Sequence, residues 1–245
     1  MFFWLFLGAF VESNGLPSDA LPVLASYTSS WYAVISMFSL STLGISISFS
    51  VIYATYSLAY SFRYTKLRPL TYLSNLGAAS GIVGVTLGVV MLLSTYALFS
   101  YKFGVNLVPA SPVLAVFVAA LTGVFMYSLG MFLVLLLINF LGLKNESFVS
   151  FIPLILAYGF GFTQLYAKLP ASLLYASPYN AIQGLMYHAY SVQPVPVQFT
   201  APTGVSLDPF LLGVSLVAWV VLLILVDSAM LRRIKTRDVE EARQV

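Results

Sequence analysis

SSWYAVISMFSLSTLGISISFSVIYATYSLAYSFRYTKLR, residues 29–68, decides how the whole chain is read. From Ser29 to Phe62 it carries no charged residue, and at ~1.5 Å per helical residue this run outreaches the ~30 Å hydrocarbon core of a bilayer. It then meets Arg63, Lys66 and Arg68. A long uncharged helix that ends in a basic turn reads as a membrane span projecting beyond one face.

Working outward, apolar segments recur at 75–100, 113–140, 148–167 and 209–231, and a shorter one at 2–11 precedes them. Of 245 residues, 60% are hydrophobic and only 8% charged, which leaves too little polar surface to cover a soluble domain. The expected fold is an all-α polytopic membrane protein with about six transmembrane helices. The first of these is incomplete or truncated, because 2–11 crosses only about half of the core. Residues 1–245 form one transmembrane domain.

Alternating the segments across the bilayer gathers Arg63, Lys66, Arg68, Lys144, Arg232, Arg233, Lys235, Arg237 and Arg243 on one face. That is nine of the eleven Lys and Arg, with Lys102 and Lys168 opposite. The positive-inside rule makes the crowded face cytoplasmic, so both termini are expected there, on a multi-pass protein of the cell membrane. The loop 63–73 and the basic tail 232–245 are then cytoplasmic, and the connection 168–208 is external. That connection is rich in Pro, yet 171–175 and 181–190 read as short re-entrant helices before the last span. Irregular backbone at membrane depth must be buried against protein or line water.

Several patterns mark candidate sites. Ser29, Tyr32, Ser36, Ser39, Ser46, Ser50, Tyr53 and Ser57 recur at steps of three, four or seven and share one helical face. Two readings stand: the hydroxyls bond their own i−4 carbonyls or a neighbouring helix, or Ser36, Ser39, Ser46, Ser50, Tyr53 and Ser57 wall a translocation path. The stripe is uncharged, which suits an uncharged or amphiphilic cargo. Gly77, Gly81, Gly84 and Gly88 form overlapping GxxxG pairs, for packing within the chain or for a dimer seam. Tyr158, Phe160, Phe162 and Tyr166 read as an interfacial belt or as an external gate. His188 has no acid at ligand spacing and is expected to make a structural hydrogen bond. Asp227 and Lys168, near segment ends, are expected to snorkel or meet headgroups.

The absences narrow the function further. No ionisable residue is placed near mid-membrane, which disfavours proton- or sodium-coupled transport. No G-x-x-x-x-G-K-[ST] pattern occurs, so nucleotide phosphates are not bound by that route. Cysteine is absent, which removes disulfides, thiolate metal sites and a cysteine nucleophile. Nothing points to nucleic acid. The basic loop and tail suit membrane lipid headgroups, and loop 63–73, with Pro69 suited to a first helical turn, also reads as a docking helix.

The extended second segment, the basic loop 63–73, the short loops between the next spans, and the run Ala176-Ser177-Pro178-Tyr179-Asn180-Ala181-Ile182-Gln183-Gly184-Leu185 together resemble a permease subunit of the type-2 ATP-binding-cassette transporters. The resemblance covers about 29–237. It implies a homodimer or heterodimer with a second permease copy or paralogue, bound to two cytoplasmic ATPase subunits that carry ATP and Mg. No cofactor and no catalysis are expected on this chain. The loop 63–73 would be the coupling helix, with Arg63, Lys66, Arg68 and Tyr72 against the ATPase, helped by Lys144 and Glu146. The cargo would be exported by alternating access. The chain departs from the family where Tyr60-Ser61-Phe62-Arg63-Tyr64-Thr65 replaces its usual Glu and Gly-Thr-rich signature. The rival readings are a non-transporting scaffold subunit and, from another class, a membrane-embedded lipid- or peptide-processing enzyme.

Overall fold

In the computed structural model the described residues are 2–16, 20–141, 147–191, 193–200 and 205–233. Lys144, Glu146, the tail beyond residue 233 and the side chain of Arg63 lie outside the described set. The chain is an all-α multi-pass membrane protein. Its helices are α1 (Phe2–Phe10), α2 (Leu21–Tyr64), α3 (Pro69–Phe103), α4 (Pro112–Leu136), α5 (Ser147–Ser150), α6 (Ile152–Tyr166), α7 (Ala171–Ala176), α8 (Pro178–Ser191) and α9 (Pro209–Leu231). A π-helical turn, Leu137–Leu141, follows α4. Among the described residues five stretches are long and apolar enough to cross a bilayer: Leu21–Ala54, Pro69–Phe103, Pro112–Asn139, Phe148–Tyr166 and Pro209–Leu231.

The short first segment is a helix of 9 residues, about 14 Å long. It packs on α2 and α3 at one end of the bundle. Tyr27 donates to the Gly8 carbonyl at 2.7 Å, and Gly8 lies flat on the Trp31 ring.

Prolines in the first turns set where the long helices begin. α2, α3, α4, α6 and α9 each have Pro at the first or second helical position, where no intrahelical N–H is lost. This corrects one expectation: no separate small helix lies along 63–73. α2 runs without a break to Tyr64, and α3 starts at once at Pro69. Arg68 is held extended (φ −95°, ψ 144°), the conformation a following proline imposes, so residues 65–68 are a tight turn.

α3 and α4 make the closest helix pair. A Cβ on Gly84 would stand 2.7 Å from the Ala119 carbonyl oxygen, and one on Gly123 would stand 2.6 Å from that of Ser80. Gly88 meets the Ala119 side chain, while Gly77 and Gly81 rest on Tyr127 and Val124. The glycine face is therefore filled within the chain, as small-residue packing requires, and is not free to form a dimer seam.

The connection before the last span folds back into the bundle. α8 is buried almost along its whole length, against α2, α4, α6 and α9. Its last carbonyls are satisfied from outside the helix: Ala110 N–H donates to Tyr190 O at 2.8 Å, and Ser111 N–H to Ala189 O at 2.9 Å. The chain then leaves through a two-residue antiparallel ribbon, β1 (Val195–Pro196) with β2 (Ser206–Leu207). α7 and the ribbon mark one end of the molecule, the re-entrant end, and the 65–68 turn marks the other, the basic end.

Gly84→Leu should lower the melting temperature of the detergent-solubilised protein by the equivalent of about 1–3 kcal/mol, the usual cost of overpacking. Gly159→Ala, where nothing lies within 4 Å of the added Cβ, should leave it unchanged or raise it by the equivalent of up to about 1 kcal/mol. Equal melting curves for both variants would contradict the α3–α4 packing.

Candidate functional site

The hydroxyl stripe of α2 has two environments. Towards the re-entrant end it is covered by α3, α6 and α8. Ser36 is fully buried, Ser39 donates to Met91 Sδ at 3.4 Å, and the Tyr32 ring lies 5.0 Å from that of Tyr190. Ser29 and Ser30 bond carbonyls one turn back, at 2.6 and 2.9 Å. Here the stripe is a packing surface, and Ser36 and Ser39 face no open path.

Towards the basic end this face of the helix is uncovered, while Ser48, Val51, Ile52 and Leu58 are buried on the opposite side. Ser46, Ser50 and Ser57 are exposed, and their hydroxyls donate to Thr42 O, Ser46 O and Ala54 O at 3.3, 2.9 and 3.0 Å. These back-bonds satisfy each O–H while leaving oxygen lone pairs facing outward. Tyr53 is 69% exposed between them, and Tyr60 and Tyr64 continue the face with rings stacked at 6.3 Å. Beside this strip runs an apolar one from α5 and α6, comprising Phe148, Phe151 and Ile155, joined to α2 by the Phe49–Phe151 contact at 6.2 Å.

The face ends at the basic turn. Thr65 N–H and Oγ1 both donate to Ser61 O, and Leu67 N–H donates to Thr65 Oγ1 at 3.1 Å, which folds the chain tightly. Lys66 and Arg68 are exposed on it. Tyr72 is half-buried, edge-on to Phe62 at 6.0 Å, so it braces the turn. Arg232 and Arg233, exposed after α9, lie at the same end, since Met230 and Leu231 share a core cluster with Leu73.

The aromatic group of α6 is mostly internal. Tyr158 stacks on Phe38 at 4.2 Å, Phe162 lies between Trp4 and Phe38 at 5.9 and 5.5 Å, and Phe160 stacks on Tyr179 at 5.5 Å. These rings tie α1, α2, α6 and α8 together. Only Tyr166 of the four is exposed.

Two buried polar features differ from the expectation drawn from sequence. Gln164, Asn180 and Gln183 are fully buried where α6 meets α8, with Asn180 Nδ2 donating to Gln164 Oε1 at 2.8 Å. Asp227 is also fully buried, and neither carboxyl oxygen has a hydrogen-bond partner among the described residues. It does not snorkel. It continues the row Leu212, Leu216, Val220, Leu223, Asp227 and Met230, whose steps of three and four turn it into the bundle. That spacing was available in the sequence. Lys168 is exposed, and His188 Nδ1 lies 3.4 Å from the Gln193 carbonyl oxygen. No group of three metal-ligating side chains occurs among the described residues.

Comparison with protein families, with characterised proteins and with solved structures finds no match. The reading of the site therefore rests on its geometry.

Because the sequence has no cysteine, single substitutions report on this geometry directly. Spin labels at Ser46→Cys, Ser50→Cys and Ser57→Cys should give mobile spectra, and labels at Ser36→Cys and Ser39→Cys immobilised ones. Equal mobility along the stripe would contradict the division of α2.

Proposed function

We propose that this chain is the permease subunit of an ATP-driven transporter, working as a pair with a second copy, with hydrolysis on separate cytoplasmic ATPases. The observation that carries this reading is the half-covered α2. A helix of 44 residues is locked into the bundle at one end, uncovered along a hydroxyl and tyrosine face at the other, and finished by an exposed basic turn. Such a helix transmits motion: a push on the turn tilts the free half while the packed half serves as a pivot.

In this reading the basic end is cytoplasmic, following the bias of Lys and Arg. The uncovered faces of two copies enclose the path, lined by Ser46, Ser50, Tyr53 and Ser57. Hydroxyl oxygens on one strip and apolar side chains on the other suit an amphiphile, and ATP-driven closure of the ATPases moves it outward. Lys66 and Arg68 bind an acidic surface of the ATPase, with Arg63, Lys144 and Glu146 proposed as further contacts.

Affinity purification of the tagged full chain from its native membrane in mild detergent should recover a stoichiometric Walker A ATPase. Lys66→Glu with Arg68→Glu should abolish that recovery while membrane insertion persists. Recovery of the intact chain alone, under conditions that keep other membrane complexes together, would sink this reading in favour of a scaffold subunit.

A further inference from the structure

At the re-entrant end a cavity of about 730 Å³ opens between the 12–16 segment, the start of α2, the end of α6, the last turns of α8 and the β1–β2 ribbon. Its size falls among pockets that hold drug-sized ligands, roughly 300–1,000 Å³. We infer that this cavity is a binding site for a lipophilic organic monocation, formed within one copy of the chain.

Five aromatic side chains line it: Tyr27, Trp31, Tyr166, Tyr187 and Phe199. Aromatic faces carry negative potential and attract weakly hydrated cations with apolar substituents. Among the described residues Glu12 is the one charged residue on the wall, and no Lys, Arg or His lines it. The nearby Lys102 is engaged elsewhere, 5.4 Å above the Phe10 ring. An anionic head would therefore meet a carboxylate and no compensating base. A cation meets a carboxylate and a wall of aromatic rings.

The wall is held in place before any ligand arrives. Ser26 Oγ and the Tyr187 hydroxyl share a hydrogen bond at 2.7 Å. Gln193 Nε2 reaches across to the Pro22 carbonyl at 3.1 Å, joining the segment after α8 to the start of α2. The Tyr187 ring stacks on Phe199 at 5.3 Å with an interplanar angle of 12°. Preformed walls lower the ordering cost of binding. The cavity is separate from the uncovered half of α2, so this site does not rest on the transport reading.

The test uses the full chain in phosphatidylcholine nanodiscs, with Trp4→Phe and Trp219→Phe leaving Trp31 as the only tryptophan. Tetraphenylphosphonium and tetraphenylborate, equal in shape and opposite in charge, are titrated against Trp31 emission. A saturable response to the phosphonium alone, weakened about fivefold by Glu12→Gln, is expected for a partly exposed charge pair. Equal responses to both ions, a linear rise without saturation, or an unchanged affinity in Glu12→Gln would overturn the assignment. If the two tryptophan substitutions impair folding, equilibrium dialysis of the phosphonium against the unsubstituted chain, with empty nanodiscs as reference, must show saturable excess binding. Its absence there would also overturn the site.

Discussion

Backbone amides and carbonyls cannot be left unpaired in hydrocarbon, and the architecture follows from how this chain meets that rule after α6. α7 and α8 lie between α6 and the last span, and the break between them is packed against α9, where Trp219 Nε1 donates to the Ala176 carbonyl at 2.8 Å. Burial in protein is the remaining solution. α8 takes the middle of the bundle, its terminal carbonyls are met by Ala110 and Ser111, and four other helices wrap it.

That placement fixes what α2 can do. One half of α2 is needed to cover α8 and α6, and its serines there are packed or bonded to their own turn. In the other half Val51 and Ile52 still pack into the bundle, but no internal helix covers the hydroxyl face, which carries the same residue types into the open. The helix is thus anchored and free along one continuous backbone, with α3 returning through a turn set by Pro69. The close α3–α4 contact keeps the base of this hairpin rigid, since glycines at 84 and 123 bring the backbones together.

The spans were legible because uncharged runs and flanking prolines carry length and boundary in the sequence itself. The two short helices before the last span were legible too, though α8 begins earlier than residue 181. Ser177 caps its first turn by accepting from Asn180 N–H, and Pro178 opens the helix. The cover over Ser36 and the absence of cover over Ser50 were not legible, because both lie on one periodic stripe and only tertiary packing separates them. Asp227 sits near the end of its segment, yet its phase on the helix, in line with Leu223 and Met230, is what buries it. The aromatic group of α6 divided in the same way, with three rings inward and Tyr166 outward. The cavity depends on segments distant in sequence meeting at one end, and no local pattern announces it.

Two sites at opposite ends emerge from one fold: a preformed aromatic pocket inside a single copy, and a free helical face proposed to be completed by a second copy. The second is the stronger demand on the molecule, since an uncovered hydroxyl face has a transport role only if another subunit closes it. Pulsed dipolar spectroscopy on a spin label at Ser57→Cys, in native membranes with the ATPase present, tests this most directly. A defined label-to-label distance that changes between nucleotide-free and ATP-bound states is the expected result. A well-labelled, folded chain that gives no label-to-label coupling in either state would contradict the paired permease.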